Sequence, residues 1–347
     1  MCELETLQLL RRPRAEMGTS WASNDYLGLG REYGWGATGS RLISGDRPAL
    51  RALEGALARW QDLPSALVFT SGYAANVGAL SALLGRDDVV ISDALNHASL
   101  IDGMRLARAR VSVFPHNDLG AVEALLKASR GRRTWVVTES YFSMDADSPD
   151  LPRLRALCDA YGAFLYLDEA HALGVFGPEG RGLAAAADVI ADVVVGTLGK
   201  SLGAQGAFVA GAPELSLYLW NRARSFVFST GLSPQVAAAA HANVERVRVV
   251  ASMREGLATI AEHARARLTA AGLPPLGHGP LLPIVVGSEA RALDAAQAMA
   301  ERGFHVQPIR PPTVPSGSAR LRITLSARET RAEVDAMLDA LIEVVAR

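Results

Sequence analysis

Phe164-Leu165-Tyr166-Leu167-Asp168-Glu169-Ala170-His171 and Val193-Val194-Val195-Gly196-Thr197-Leu198-Gly199-Lys200 share one form. Each is a short apolar run that ends abruptly in groups able to do chemistry. Apolar runs of this length, bounded by polar residues and glycine, read as fully buried strands. Working outward, the same form recurs at Ala66–Phe69, Val89–Ile91, Val111–Phe114, Trp135–Thr138 and Gly206–Val209. Helical spacing lies between these runs, at 48–60, from Tyr73 to Leu84, and over 97–108, 118–128 and 151–161. Buried strands alternating with helices predict a mostly parallel sheet covered on both faces.

Beyond residue 234 the pattern changes. A long helical stretch, 234–272, is broken around Ser252, and a Gly- and Pro-rich stretch, Gly272 to Pro283, follows it. Strands are predicted at Leu282–Val286, His305–Ile309 and Leu321–Leu325, with helices over 289–302 and 328–346. The expected fold class is therefore α/β: a large doubly wound, mostly parallel sheet domain plus a small C-terminal α+β domain. The expected divisions are an N-terminal segment 1–35, a large domain 36–235, and a linking helix with the small domain over 236–347.

Composition narrows the function. The 347 residues are 49% hydrophobic and 20% charged, which excludes a disordered chain. The formal net charge of −1 carries no basic excess, so no nucleic-acid partner is expected. No apolar run approaches the roughly 18 residues of a membrane span. The stretch 183–195 is interrupted by Asp188 and Asp192. The start, Met1-Cys2-Glu3-Leu4-Glu5, does not have the form of a signal peptide. Cys2 and Cys158 are too few and too isolated for a disulfide framework or a zinc site. A cytoplasmic protein that binds no metal is expected.

Of the 35 basic residues only Lys127 and Lys200 are lysine. A solvated surface cation can be either type, but a nucleophilic amine cannot be arginine, whose guanidinium stays protonated. Lys127 lies on a polar helix face. Lys200 follows a strand end, where ligands bind in open parallel sheets. The same rim collects Ser71-Gly72-Tyr73, Asp93, Asn96, His97, His116-Asn117-Asp118, Glu139, Ser143, Asp168, His171 and Thr197.

Asp168-Glu169-Ala170-His171 matches the magnesium-holding tetrapeptide of nucleic-acid helicases. That reading needs a phosphate loop of the form G-x-x-x-x-G-K-[ST]. Gly196-Thr197-Leu198-Gly199-Lys200-Ser201 has two residues between its glycines and lies after the acidic strand. Pyridoxal phosphate explains the rim better. That cofactor needs a lysine for its Schiff base and a carboxylate against the pyridine nitrogen. Lys200 and Asp168 supply these. Ser71-Gly72-Tyr73 opens a helix whose N–H groups suit a phosphate. His97 is placed to stack on the ring.

The ordered set resembles the α-oxoamine synthases, a branch of the fold-type I pyridoxal phosphate transferases. The resemblance is carried by Ser23-Asn24-Asp25-Tyr26-Leu27-Gly28, Gly39-Ser40-Arg41-Leu42, Thr70-Ser71-Gly72-Tyr73-Ala74-Ala75-Asn76 and Asn96-His97-Ala98-Ser99. It continues through Glu139, Phe142-Ser143-Met144-Asp145, Asp168-Glu169-Ala170-His171, Gly180-Arg181-Gly182 and Gly196-Thr197-Leu198-Gly199-Lys200. It covers nearly the whole chain. Leu50 stands where the family usually has His, and Ala146 where it usually has Gly.

The resemblance implies roles. Lys200 carries the cofactor and removes the Cα proton, Asp168 pairs with the pyridinium, and His97 stacks on the ring and touches substrate. His171 and Ser143 hold the ring oxygen side, and Thr197 holds the phosphate or the ring environment. Gly72 and Tyr73 offer backbone contacts to the phosphate, which Ser229 and Thr230 reach across a homodimer interface. Asn24 and Arg322 bind the amino-acid carboxylate, and Thr313 contacts substrate.

One stretch, Ile309-Arg310-Pro311-Pro312-Thr313-Val314-Pro315-Ser316-Gly317-Ser318-Ala319-Arg320-Leu321-Arg322, together with His116-Asn117-Asp118, is similar to one member of the family. That member condenses L-alanine with a pimeloyl thioester, on coenzyme A or a carrier protein, and releases CO2 in biotin synthesis. The alternative is a sister synthase that takes glycine or serine with another acyl-CoA.

Overall fold

The computed structural model describes residues 5–6, 10–12 and 35–345. It divides into two compact units, one of 1–140 with 149–249 and one of 141–148 with 250–347.

The first unit is built on seven strands: β1 Ser65–Phe69, β2 Val89–Asp93, β3 Arg110–Phe114, β4 Thr134–Glu139, β5 Phe164–Asp168, β6 Val193–Thr197 and β7 Ala207–Gly211. Their order across the sheet is β1-β7-β6-β5-β4-β2-β3. β3, β2, β4, β5 and β6 run parallel, and β7 pairs antiparallel with both β6 and β1. The expected mostly parallel sheet is present. The parallel strands are joined by connections that contain helices, as parallel pairing requires.

Alternation along each strand assigns the two faces of the sheet. Val193 and Val195 on β6, and Tyr166 on β5, join one core with Leu80, Leu100 and Met104. Those partners come from helices Gly72–Leu83 and Ala98–Ala107. Val194, Leu165 and Leu167 point the other way, against helices Leu119–Ala128 and Leu151–Tyr161. A third cluster packs Val68, Phe208 and Ala210 against helices Pro48–Gln61 and Pro234–Val249. A strand buried on both faces has no polar side, which is why these strands read as continuous apolar runs.

The second unit holds an antiparallel sheet of β8 Leu281–Gly287, β9 Gln307–Ile309 and β10 Ala319–Thr324, in the order β8-β10-β9. Helices Ala251–Ala270, Glu289–Glu301 and Arg331–Val345 supply Leu268, Met299, Leu338 and Leu341 to its core. Segment 141–148 belongs to this unit although it follows β4 in the chain. The guanidinium of Arg320 on β10 holds it, donating from Nη1 to the Met144 carbonyl at 2.8 Å and to Asp145 Oδ1 at 2.7 Å.

The observed division differs from the expected one in two respects. Helix Pro234–Val249 lies in the first unit, because it packs on Pro48–Gln61, and the break in the long helical stretch falls at Val250. Segment 141–148, placed by sequence in the large domain, clusters with the C-terminal residues. Among the described residues no helix is long and apolar enough to cross a membrane.

Candidate active site

The parallel strands end at one level. Glu139 pairs in register with Asp168, and Asp168 with Val195, so Asp93, Glu139, Asp168 and Thr197 close β2, β4, β5 and β6 at a common rim. Residues placed apart by the chain are thereby gathered at the carboxyl edge of the sheet, where ligands bind in this architecture.

Asp168 is 7% exposed. Its Oδ2 accepts from Asn76 Nδ2 at 2.7 Å and its Oδ1 from the Ala170 N–H at 2.9 Å. Both partners are N–H donors, so each carboxylate oxygen acts as an acceptor. Glu139 lies beside it, and its Oε1 accepts the His97 N–H at 2.7 Å. Burial, and then the neighbouring Asp168 charge, push the Glu139 carboxyl up to about 8, against the His97 N–H and the Lys200 charge, which pull it down. A second carboxyl on the same buried rim thus raises the proton affinity of Glu139.

His97 is the N-cap of helix Ala98–Ala107, and its Nδ1 accepts from the Ser99 N–H at 3.2 Å. Ser99 Oγ lies 2.8 Å from the same nitrogen. Lys200 is exposed on the turn after β6, within electrostatic reach of Glu139. A Cβ built on Gly174 would meet Ser201 Cβ at 2.6 Å, so the turn carrying His171 packs against the turn carrying Lys200. Thr197 Oγ1 donates to the Gly206 carbonyl at 3.2 Å and accepts from the Gly199 N–H at 3.3 Å, which shapes the lysine turn.

Gly72 and Tyr73 form the first turn of their helix, capped by Ser71 Oγ, which accepts from the Ala74 N–H at 3.1 Å. The Tyr73 hydroxyl is committed to Asp102, at 2.7 Å. Ser229 and Thr230 lie on a segment bridged to the glycine-rich loop, Thr230 pairing with Ser40 and the Gly231 N–H donating to the Gly39 carbonyl at 3.0 Å.

Three of the expected residues belong to the second unit. Ser143 lies in the 141–148 turn, which is closed by the Ala146 N–H donating to the Phe142 carbonyl at 2.8 Å. Thr313 is exposed. Arg322 is half-buried on β10; burial lowers its guanidinium, and its Nε has no hydrogen-bond partner among the described residues. Asn24 lies outside the described residues.

Sequence reasoning gave no role to Asn76, Ser99 or Tyr166, and none to Glu139 beyond its place in the motif. Asn76 carried a signal. Asparagine in a helix interior is a poor helix former, and here it stands inside an apolar run, 2% exposed. Only the fold shows what it touches.

The residues fit pyridoxal phosphate. A buried carboxylate held, among the described residues, by N–H donors is the partner a protonated pyridine nitrogen needs. A Cβ built on Gly72 would meet only Thr197 Oγ1, at 4.0 Å, so the chain leaves open space at a capped helix N-terminus, the kind of place where a phosphate binds. An exposed lysine stands on the adjoining turn. Together the sheet, the rim and the lysine define a fold-type I pyridoxal phosphate transferase.

Residues 17–341 match the family of class I and II aminotransferases. The chain is 48% identical over 339 residues to the 8-amino-7-oxononanoate synthase of Anaeromyxobacter dehalogenans (strain 2CP-1 / ATCC BAA-258), covering 93% of this chain and 85% of that one. Its fold superposes on a serine palmitoyltransferase from S. paucimobilis with bound pyridoxal phosphate and myriocin. That likeness has a TM-score of 0.87 and 29% identity over 94% of this chain and 86% of the other. It also superposes on the 8-amino-7-oxononanoate synthase of Francisella tularensis, with a TM-score of 0.77 and 25% identity over 92% and 91% of the two chains. The chain belongs to the class I and II aminotransferase family and, within it, to the 8-amino-7-oxononanoate synthases.

Proposed function

We infer that this chain catalyses the decarboxylating condensation of L-alanine with a pimeloyl thioester, giving 8-amino-7-oxononanoate, CO2 and the free thiol, a step of biotin synthesis. The observation that carries the reading is the rim itself: Lys200 beside the Asp168–Glu139 pair, in a chain 48% identical to a synthase of that name.

Pyridoxal phosphate, when bound, supplies an electron sink for negative charge developing at Cα of the amino acid. The chain's own residues do the rest. Asp168 holds the proton on the ring nitrogen, which keeps the sink deep. Lys200 anchors the cofactor and then, as a free amine, takes the alanine Cα proton and later returns one. His97 covers the ring and excludes water from it. The first turn of helix Gly72–Leu83 and Thr197 receive the phosphate, and Ser143 and His171 receive the ring oxygen. Arg322, Asn24 and Thr313 receive the substrate, the half-buried Arg322 guanidinium suiting a carboxylate.

The working unit is proposed to be a cytoplasmic homodimer. Trp35, Ile43 and Phe228 are 71%, 62% and 73% exposed on the segments that the Ser40–Thr230 bridge joins, an apolar surface suited to a second copy. Ser229 and Thr230 then serve the partner's phosphate.

Product mass tests the substrate assignment. Holoenzyme is mixed with pimeloyl thioester and L-alanine, glycine or L-serine in separate reactions. 8-Amino-7-oxononanoate from alanine alone is expected. Turnover only of glycine or serine with a different acyl-CoA would move the chain to a sister synthase.

A further inference from the structure

A continuous chain of hydrogen bonds, buried from Asp168 to Ser99 and half-buried at its His97 end, links the two rim groups expected to face the cofactor ring, Asp168 and His97. Its polarity is readable from the donor inventory. The Tyr166 hydroxyl lies 2.9 Å from Asn76 Oδ1, an atom that can only accept, so the phenol is the donor. Tyr166 is fully buried, and burial together with the Asp168 charge raises its hydroxyl well above the ordinary range, so it keeps its proton. The Asn76 amide cannot be turned over, because its oxygen would then face the Asp168 carboxylate at the 2.7 Å now spanned by an N–H.

With the amide so fixed, its two hydrogens are both assigned. One goes to Asp168 Oδ2 and the other to Ser99 Oγ, at 2.9 Å. Ser99 Oγ therefore accepts from Asn76 and has its own hydrogen left for His97 Nδ1, at 2.8 Å. The Ser99 N–H reaches the same nitrogen. Two donors converge on Nδ1, which must present its lone pair. The tautomer of an imidazole is set by the bond its other nitrogen makes.

We propose that Asn76, acting with Ser99, is a positioning residue that orients the Asp168 carboxylate and holds His97 in the tautomer with its proton on Nε2. One amide thus serves both rim groups. It gives Asp168 a donor that can never compete for the ring proton. It also leaves His97 a single outward donor, Nε2–H, for an oxygen of the bound substrate. Helix Gly72–Leu83 supplies Asn76 and β5 supplies Asp168, 92 residues apart in the chain, so the arrangement exists only once the sheet has formed. Asn76 and Ser99 are 2% and 1% exposed, and water does not compete for the two bonds that the Asn76 amide donates. The proposal rests on the assignment of Asp168 and His97 to the cofactor.

The test is 15N NMR of histidine-labelled protein, apo and loaded with pyridoxal phosphate. The His97 signals are identified by their loss in His97→Asn. In the wild-type protein Nδ1 is expected to be unprotonated and Nε2 protonated. Ser99→Ala removes one donor to Nδ1. Asn76→Ala frees the Ser99 hydroxyl to turn away. Each variant is expected to populate the Nδ1–H form.

With the cofactor still bound by its absorbance, Asn76→Ala is expected to lower kcat about ten- to hundredfold, the factor for losing a hydrogen bond to a charged group. Tyr166→Phe, which removes only the lock on the amide, gives the same tautomer shift in smaller proportion and serves if Asn76→Ala does not fold. An Nδ1–H tautomer in the wild-type protein, or an unchanged ratio in the variants, overturns the proposal. So does a lowered thermal midpoint with unaltered kcat, which would make the network merely structural. If the substrate assignment is wrong instead, wild-type turnover of alanine and pimeloyl thioester fails while the tautomer result stands.

Discussion

Lys200 and Glu139 illustrate what single residues contribute. Lys200→Arg keeps a cation on the turn but removes the only side chain there able to anchor the cofactor and carry a proton. It is expected to lose the long-wavelength absorbance of the bound cofactor and at least about a thousandfold in kcat/KM. A variant that kept both would remove Lys200 from the chemistry. Glu139 makes a prediction about pH. Its carboxyl is raised to about 8 by burial and by Asp168, from an ordinary value of 4.5. A raised value means that the folded state binds the proton more tightly than the unfolded chain does. The stability this confers is full below about pH 4.5 and is lost as pH rises through about 8. Glu139→Gln keeps an acceptor for the His97 N–H without a titrating proton. The apoprotein of this variant is expected to lose less stability between pH 5 and pH 9 than the wild type, as measured by urea unfolding. Equal slopes would refute the assignment. The place of Lys200 at the rim was legible in the sequence because it follows a strand end, and its rivals for a nucleophilic amine were few. The raised proton affinity of Glu139 was not, because it depends on what is buried beside the carboxyl.

Among the elements, the 141–148 segment and the 275–281 loop show how small-unit geometry is held. Arg265 donates to the carbonyls of Gly277 and Gly279, both at 2.9 Å, and of Leu276 at 3.0 Å. The His278 N–H donates to the Ala146 carbonyl at 2.6 Å, so loop and segment meet. Gly277 has φ +63°, and a Cβ there would collide with the Ala146 carbonyl, a backbone atom that cannot swing away. Gly277→Ala is expected to destabilise the protein by about 2–4 kcal/mol in urea unfolding. Ala146 itself sits at φ +54°, a conformation that costs an L-residue about 1–2 kcal/mol. Ala146→Gly is expected to be neutral or to stabilise by up to about 1 kcal/mol, once the greater freedom of glycine in the unfolded chain is counted. The departure from the family's usual glycine was visible in the sequence. That the position demands a left-handed backbone was not.

For the whole molecule the testable matter is assembly. If a second copy covers Trp35, Ile43 and Phe228, then Phe228→Asp places a charge in an apolar interface. Sedimentation is expected to show a shift from dimer to monomer, with the cofactor bound more weakly because the partner's Ser229 and Thr230 are withdrawn. A wild-type monomer, or a variant dimer of unchanged affinity, would argue against that surface. Cys158 reports on integrity: it is buried, and burial pushes its thiol up to about 12, so thiol reagents are expected to label it only on unfolding.

Apolar runs alternating with helical spacing determined the parallel sheet, since strands buried on both faces must be apolar throughout. The polar residue after each run determined which groups reach the rim, because strand ends in a parallel sheet share one edge. Lys200, Asp168 and His97 could be read in this way. Tertiary structure alone decided the rest. Asn76 meets Asp168 because a helix on one face of the sheet lies over β5, a contact that no local pattern encodes. Segment 141–148 joins the C-terminal unit because Arg320, 175 residues further along the chain, carries the donors its carbonyl and carboxylate require. Periodicity records which face of an element is buried. It does not record which distant polar group a buried donor will find, and that pairing is set only when the elements pack.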